Sequence, residues 1–212
     1  MLFRSYLELE CKTTDTLTVI ASGGKCFSVD AAALPSGRGD GAPMNTLINA
    51  GPDDIVWIGL GSADAQLLIA NTAGNGFLCK LGDLATKTKQ GKDFMGVPEG
   101  AKVLPPVFFK DSPGKNHVAA LSSDARLLLF PMDELPVRPN GGVGVQLIGL
   151  PDKISLAAVA VTDGKSLVVS GIKRKNRADE TLDARMLKEF TGKRAQRGKV
   201  CDVGFRPDKF GA

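Results

Sequence analysis

His117 is the one histidine in 212 residues, so any Ser-His-Asp or Cys-His centre would have to be built around it. It stands at the head of the apolar run Val118–Leu121 and reads as a strand-end residue rather than a catalytic base. Cys11, Cys26, Cys79 and Cys201 show no C-x-x-C spacing and have no partnering histidines, so they read as reduced, buried thiols of a cytosolic protein. Asp53-Asp54 and Asp133-Glu134 fall in turn sequences without metal-ligand spacing. Gly59-Leu60-Gly61 lacks the third glycine of a dinucleotide fingerprint, and no phosphate-binding G-x-x-x-x-G-K-[ST] occurs. Arg38-Gly39-Asp40 spells an adhesion tripeptide by coincidence. These residues predict no catalytic residue, no metal and no cofactor. The chain is expected to bind.

What it could bind is set by its cations. Lys and Arg number 27 against 23 Asp and Glu, a net charge of +4. From Ser170 onward there are 12 basic and 6 acidic residues, so this end carries +6 and the rest −2. Two clusters hold the excess: Lys173-Arg174-Lys175 with Arg177, and Lys193, Arg194, Arg197 and Lys199. Three further glycine-containing stretches carry Arg38, then Lys87, Lys89 and Lys92, then Arg138. Lysine and arginine neutralise phosphates, and glycine lets a backbone approach closely, so the pattern predicts a polyanionic partner.

The elements that must position these loops repeat along the chain. Shifting Ile20–Leu34 by 50 superimposes Ser22 on Thr72, Gly24 on Gly74, Phe27 on Phe77 and Leu34 on Leu84. Ser123, Arg126, Leu128 and Leu135 supply a third copy, and a weaker fourth ends near Leu187. The closing leucines Leu34, Leu84, Leu135 and Leu187 lie 50, 51 and 52 residues apart. Each is followed by one of the basic loops. Within a repeat, short β-prone runs such as Ile55–Ile58, Leu67–Ala70 and the stretch around Phe77 are separated by turn clusters, and Asp163-Gly164 reads as a hairpin turn. About four strands per repeat predict an all-β, radial architecture of about four four-stranded blades. One short C-terminal helix is expected, with Leu182, Met186 and Phe190 as its packed stripe and Gly192 as its stop. The basic loops then recur at equivalent points of the rim as a discontinuous cationic track.

Apolar residues at 43% and charged residues at 24% fit one folded domain over residues 1–212, and no apolar run is long enough to cross a membrane as a helix. Kelch propellers also repeat at about 50 residues, so a kelch-like protein-interaction propeller is the alternative reading.

The stretches L-P-S-G-R-G-D-G-A-P, L-L-I-A-N-T-A-G-N-G-F-L-C-K-L-G-D-L, V-P-E-G-A-K-V-L-P-P-V, F-P-M-D-E-L-P and T-G-K-R-A-Q-R-G-K resemble the C-terminal domain of the A-type subunit of bacterial topoisomerase IV, a relative of gyrase. The resemblance runs from about Leu17 to Val200. It implies a β-pinwheel whose blades exchange strands, and double-stranded DNA bound and bent on its basic outer edge. It also implies a longer polypeptide that dimerises and joins two ATPase subunits in a cytoplasmic, nucleoid-associated type II topoisomerase. The catalytic tyrosine of that enzyme lies outside this chain, since Tyr6 has no such context. Gyrase carries a Q-R-R-G-G-K-G-type box in its first blade. Here only Gln196-Arg197-Gly198-Lys199, in the last repeat, approaches it, which favours topoisomerase IV and bending over full wrapping. Relatives of this type look five-bladed, so four repeats imply a fragment lacking its first blade and an open ring.

Overall fold

The sequence repeats return as a repeated strand order. In the computed structural model, which describes residues 7–35, 41–110 and 113–211, every repeat opens on a hairpin and ends in a strand that comes back to it. The first repeat holds β1 (Thr16–Ala21), β2 (Lys25–Asp30) and β3 (Ile55–Gly59). The second holds β4 (Gln66–Ala70), β5 (Asn75–Lys80), the two-residue β6 (Lys92–Asp93) and β7 (Val107–Phe109). The third holds β8 (His117–Ser122), β9 (Arg126–Pro131), β10 (Val145–Gln146) and β11 (Leu156–Thr162). The fourth holds β12 (Ser166–Lys173), β13 (Asn176–Asp183), α1 (Ala184–Phe190), β14 (Lys199–Val200) and β15 (Pro207–Phe210).

Sheets are not made from single repeats. Their strand orders are β3-β1-β2-β6, β10-β5-β4-β7, β11-β8-β9-β14 and β13-β12-β15. The returning strand of each repeat pairs with the first strand of its own hairpin, whereas the short strand pairs with the second hairpin strand of the blade before. The outer edge of each of the first three blades is therefore supplied by its successor. The fourth blade consequently has three strands among the described residues, one fewer than the sequence pattern predicts.

Blades are held by apolar faces on both sides of each hairpin, which is why the hairpin strands read as nearly continuous apolar runs. Ile20 and Cys26 of the first blade pack on Leu67, Ile69, Phe77 and Cys79 of the second. Leu68 and Leu78 meet Val118, Ala120, Leu128 and Phe130 of the third, whose opposite face, with Leu121 and Leu127, meets Leu167, Val169 and Leu182. The crossing segments contribute Phe94, Leu147 and Cys201 to these seams. No helix among the described residues is long and apolar enough to cross a membrane.

Ser22, Thr72 and Ser123, which align in sequence, share one role. Their backbone N–H groups donate to the carbonyls of Asp54, Lys102 and Ser155, at 2.8 Å each. Their hydroxyls accept from the N–H groups of those same three residues, at 3.2, 2.9 and 3.1 Å. Each clasp ties a hairpin turn to the segment leading into a returning strand. Gly24 and Gly74 sit in these turns at φ +93° and +88°, a region glycine enters without steric cost.

Several expectations are corrected. Asp163-Gly164 does not close a hairpin, because β11 pairs with β8 of its own blade and the turn passes to the next blade. Thr162 organises it by accepting from Gly164 N–H, while the N–H and ammonium of Lys165 hold the Asp163 carboxyl below its usual range. The helix is present, but Leu182 belongs to β13, Met186 is 37% exposed, and the buried residue is Leu187. The helix replaces the single 3-10 turns at Ala31–Ala33, Leu81–Leu84 and Met132–Glu134, so its core contact is the closing leucine of the repeat. Gly192 is not a left-handed stop. It lies flat against β9, donating to Leu129 at 2.8 Å, where a Cβ would meet the Gln196 side chain. Cys11 is exposed; Cys26, Cys79 and Cys201 are buried, and all four are free thiols. His117 is the first residue of β8, as expected.

Candidate nucleic-acid interface

Each loop after a closing leucine runs along the outer edge of the preceding blade before adding its short strand there. In the second repeat, Thr86 N–H donates to Ser28 Oγ of β2 at 3.1 Å, and β6 then pairs with Lys25 and Cys26. In the third, Leu78 N–H donates to Pro136 and Arg138 N–H returns to Leu78, at 3.0 and 2.8 Å, before β10 pairs with Asn75 and Gly76. In the fourth, Gly192 lies on Leu129 before β14 pairs with Arg126 and Leu127. Successive loops are also joined to one another: Asn49 N–H donates to Lys89, Gly96 to Gly142, and Gly149 to Gln196, at 2.9, 3.1 and 2.8 Å. The result is a hydrogen-bonded belt along the rim.

The predicted cations divide by what holds them. Lys87, Lys89, Lys193 and Lys199 are exposed on the belt and make no ion pair among the described residues. Arg197 is exposed too, with only a 3.9 Å approach to Asp124. Lys92, Arg138 and Arg194 are half-buried. Lys92 Nζ donates to the Asp83 carbonyl at 2.9 Å and lies 5.1 Å from the centre of the Phe94 ring. Arg194 Nη1 donates to the Gln146 carbonyl at 2.7 Å, and its N–H donates to Glu134 at 3.1 Å. These side chains build the belt as much as they charge it. Lys173, Arg174 and Lys175 lie elsewhere, at the β12–β13 turn, and Arg38 lies outside the described residues with Tyr6.

Arg126 stands out only in the structure, since the sequence places it in the repeat register and nothing more. Its Nη1 donates to the Gly198 carbonyl at 3.2 Å, and its Nε lies 3.3 Å from Asp124 Oδ2, both side chains 26% exposed. It locks the fourth basic loop onto β9. Lys80, by contrast, is withdrawn from the free charge: its hydrogen bond to Asp64 at 2.8 Å raises the lysine pKa and lowers the aspartate's. Among the described residues no group of His, Cys, Asp and Glu side chains could hold a metal ion.

Comparison with known proteins gives this geometry relatives. The A subunit of DNA topoisomerase 4 from Haemophilus influenzae is 32% identical over 209 residues, which cover 94% of this chain and 27% of the relative. The Escherichia coli K12 protein of the same name is 31% identical over 197 residues, 89% of this chain and 25% of the relative. The solved E. coli ParC C-terminal domain matches with a TM-score of 0.84 at 28% identity, covering 96% of this chain and 83% of that one. The chain belongs to the β-pinwheel family formed by the C-terminal domains of topoisomerase IV A-type subunits. A gyrase A C-terminal domain shares the pinwheel fold, with a TM-score of 0.65 at 18% identity over 93% of this chain and 64% of that one. The chain spans about a quarter of the length of the curated relatives it matches. No protein-family model matches it.

Proposed function

We propose that this pinwheel binds double-stranded DNA along its rim and bends it, presenting DNA to the cleavage core of a topoisomerase IV and tuning the topology that enzyme prefers. The observation that carries the reading is the belt: exposed, unpaired Lys87, Lys89, Lys193 and Lys199 stand on loops that occupy equivalent places in two repeats. A duplex following such loops from blade to blade must curve. Bending a 20–30 base-pair site by 40–90° costs on the order of 1–6 kcal/mol, which counterion release at several phosphates offsets. The loops are short and carry no recognition helix, so sequence preference is expected to be weak.

The names of the relatives support the wider reading: a full-length polypeptide that dimerises, joins two ATPase subunits and works in the bacterial cytoplasm on chromosomal DNA, this domain supplying DNA contacts and no catalytic residue. The kelch-like alternative has no observation in its favour. A duplex of about 30–40 base pairs labelled at both ends tests the proposal, since bound and bent DNA brings the dyes together. Binding with unchanged energy transfer removes bending from the reading, and absence of binding at low salt removes DNA.

A further inference from the structure

The fourth hairpin departs from the other three in ways that belong together. Its strands are eight residues each, against five or six in the others. In the first three blades the short strand from the next repeat pairs at the foot of the turn, with Lys25, Asn75 and Arg126, so each turn is flush with its sheet. In the fourth, β15 pairs with β12 only as far as Gly171, and β13 has no partner on its outer side among the described residues. Residues 172–177 therefore project as a free two-stranded ribbon. The turn has no Ser or Thr clasp. Its two residues, Arg174 and Lys175, both hold positive φ, +48° and +73°. A two-residue turn of this kind ordinarily takes Asn-Gly, because side chains resist that conformation. Here the left-handed positions hold two cations, flanked by Lys173 and by Ile172, which is 59% exposed. Arg177 is tied to Asp208 at 2.6 Å, which braces the base of the ribbon and leaves the tip charges unpaired among the described residues. Backbone strain of this kind at an exposed point is a mark of function.

We propose that this ribbon enters the major groove of DNA bound to the pinwheel, Lys173, Arg174 and Lys175 meeting the groove walls and Ile172 the base edges. This rests on the reading of the domain as a DNA binder. Groove width selects the site: two strands about 4.8 Å apart with their side chains match an opening of about 12 Å and not one of about 6 Å. Two residues beyond the last β15 pairing, plus the turn, reach roughly 7–10 Å, the depth of that groove.

The test uses the whole chain and two duplexes of one sequence, each about 30 base pairs, one plain and one with glucosylated 5-hydroxymethylcytosine, whose sugars fill the major groove. The wild-type chain is expected to bind the plain duplex about tenfold more tightly. Arg174→Asn with Lys175→Gly keeps the hairpin in a favourable turn, and should bind both duplexes equally and more weakly than wild type binds the plain one. A rim variant, Lys87→Ala with Lys89→Ala, should lose affinity yet keep the discrimination. Equal binding of the two duplexes by the wild type, or discrimination retained by the turn variant, overturns the ribbon while leaving DNA binding intact. Failure of the wild type to bind either duplex overturns both readings.

Discussion

Burial gives Cys26, Cys79 and Cys201 an ordinary packing role with a measurable consequence. Desolvation pushes the Cys26 thiol up to about 12 and Cys201 to about 11, and raises Cys79 further. The unfolded chain releases these protons near 9 while the native chain keeps them. Their contribution is thus fully present below pH 9 and falls away as pH rises toward 11–12, at about 1.4 kcal/mol per pH unit for each thiol. Urea midpoints should hold between about pH 7 and 8 and drop by about pH 10.5, with a shallower drop in Cys79→Ala. Under native conditions a thiol reagent should label Cys11 and spare the other three. A second prediction at this scale concerns Gly198, at φ +72°, where an added Cβ would lie 2.7 Å from the Leu127 carbonyl. Gly198→Ala should cost about 2 kcal/mol in chemical denaturation, since it combines a left-handed alanine with a backbone clash. A change below about 0.5 kcal/mol would show that the fourth basic loop is not seated on β9 as described.

Elements in this domain are defined by what they border rather than by their own propensity. Residues 182–190 show the difference. A period of four links Leu182, Met186 and Phe190, yet the strand β13 claims Leu182 because it pairs with Leu167 across the hairpin. The helix that remains has to place Leu187 where Leu84 and Leu135 sit in their repeats. The closing-leucine spacing therefore holds the better information, and local periodicity is overruled by the repeat. Leu187→Ala is expected to destabilise by about 2–5 kcal/mol and Met186→Ala by under about 0.5, read from thermal or urea unfolding. Equal effects would contradict the assignment. The hairpin strands and their order within a repeat are legible because both faces are apolar. The exchange of short strands is not legible from the residues, since two-residue segments such as Lys92–Asp93 carry no periodicity; only the family resemblance anticipates it. Arg126 is the matching case for the site: no local signal separates a cation that clasps a loop from one that faces solvent. Arg126→Met should lower stability by about 1–2 kcal/mol and raise amide exchange across residues 192–199. Unchanged exchange there would leave the clasp without a role.

Across the whole molecule, four blades are stacked through three apolar seams and bound at the rim by a belt of crossing loops. The net charge of +4 is modest, and its distribution matters more than its size. The cationic loops recur with the blades because each repeat must spend a segment reaching the outer edge of its predecessor, and that segment is exposed on one side. Fold and surface charge thus share one cause, the repeat. The central claim is that this rim contacts phosphates. The most direct measurement is the salt dependence of duplex binding by fluorescence anisotropy. It compares the wild-type chain with a variant in which Lys87, Lys89, Lys193 and Lys199 are replaced by alanine. Each phosphate contact contributes about 0.9 to the slope of log affinity against log salt, so the variant's slope should be shallower by about 2–4. An unchanged slope, with the variant folded and binding as the wild type does, would contradict the account.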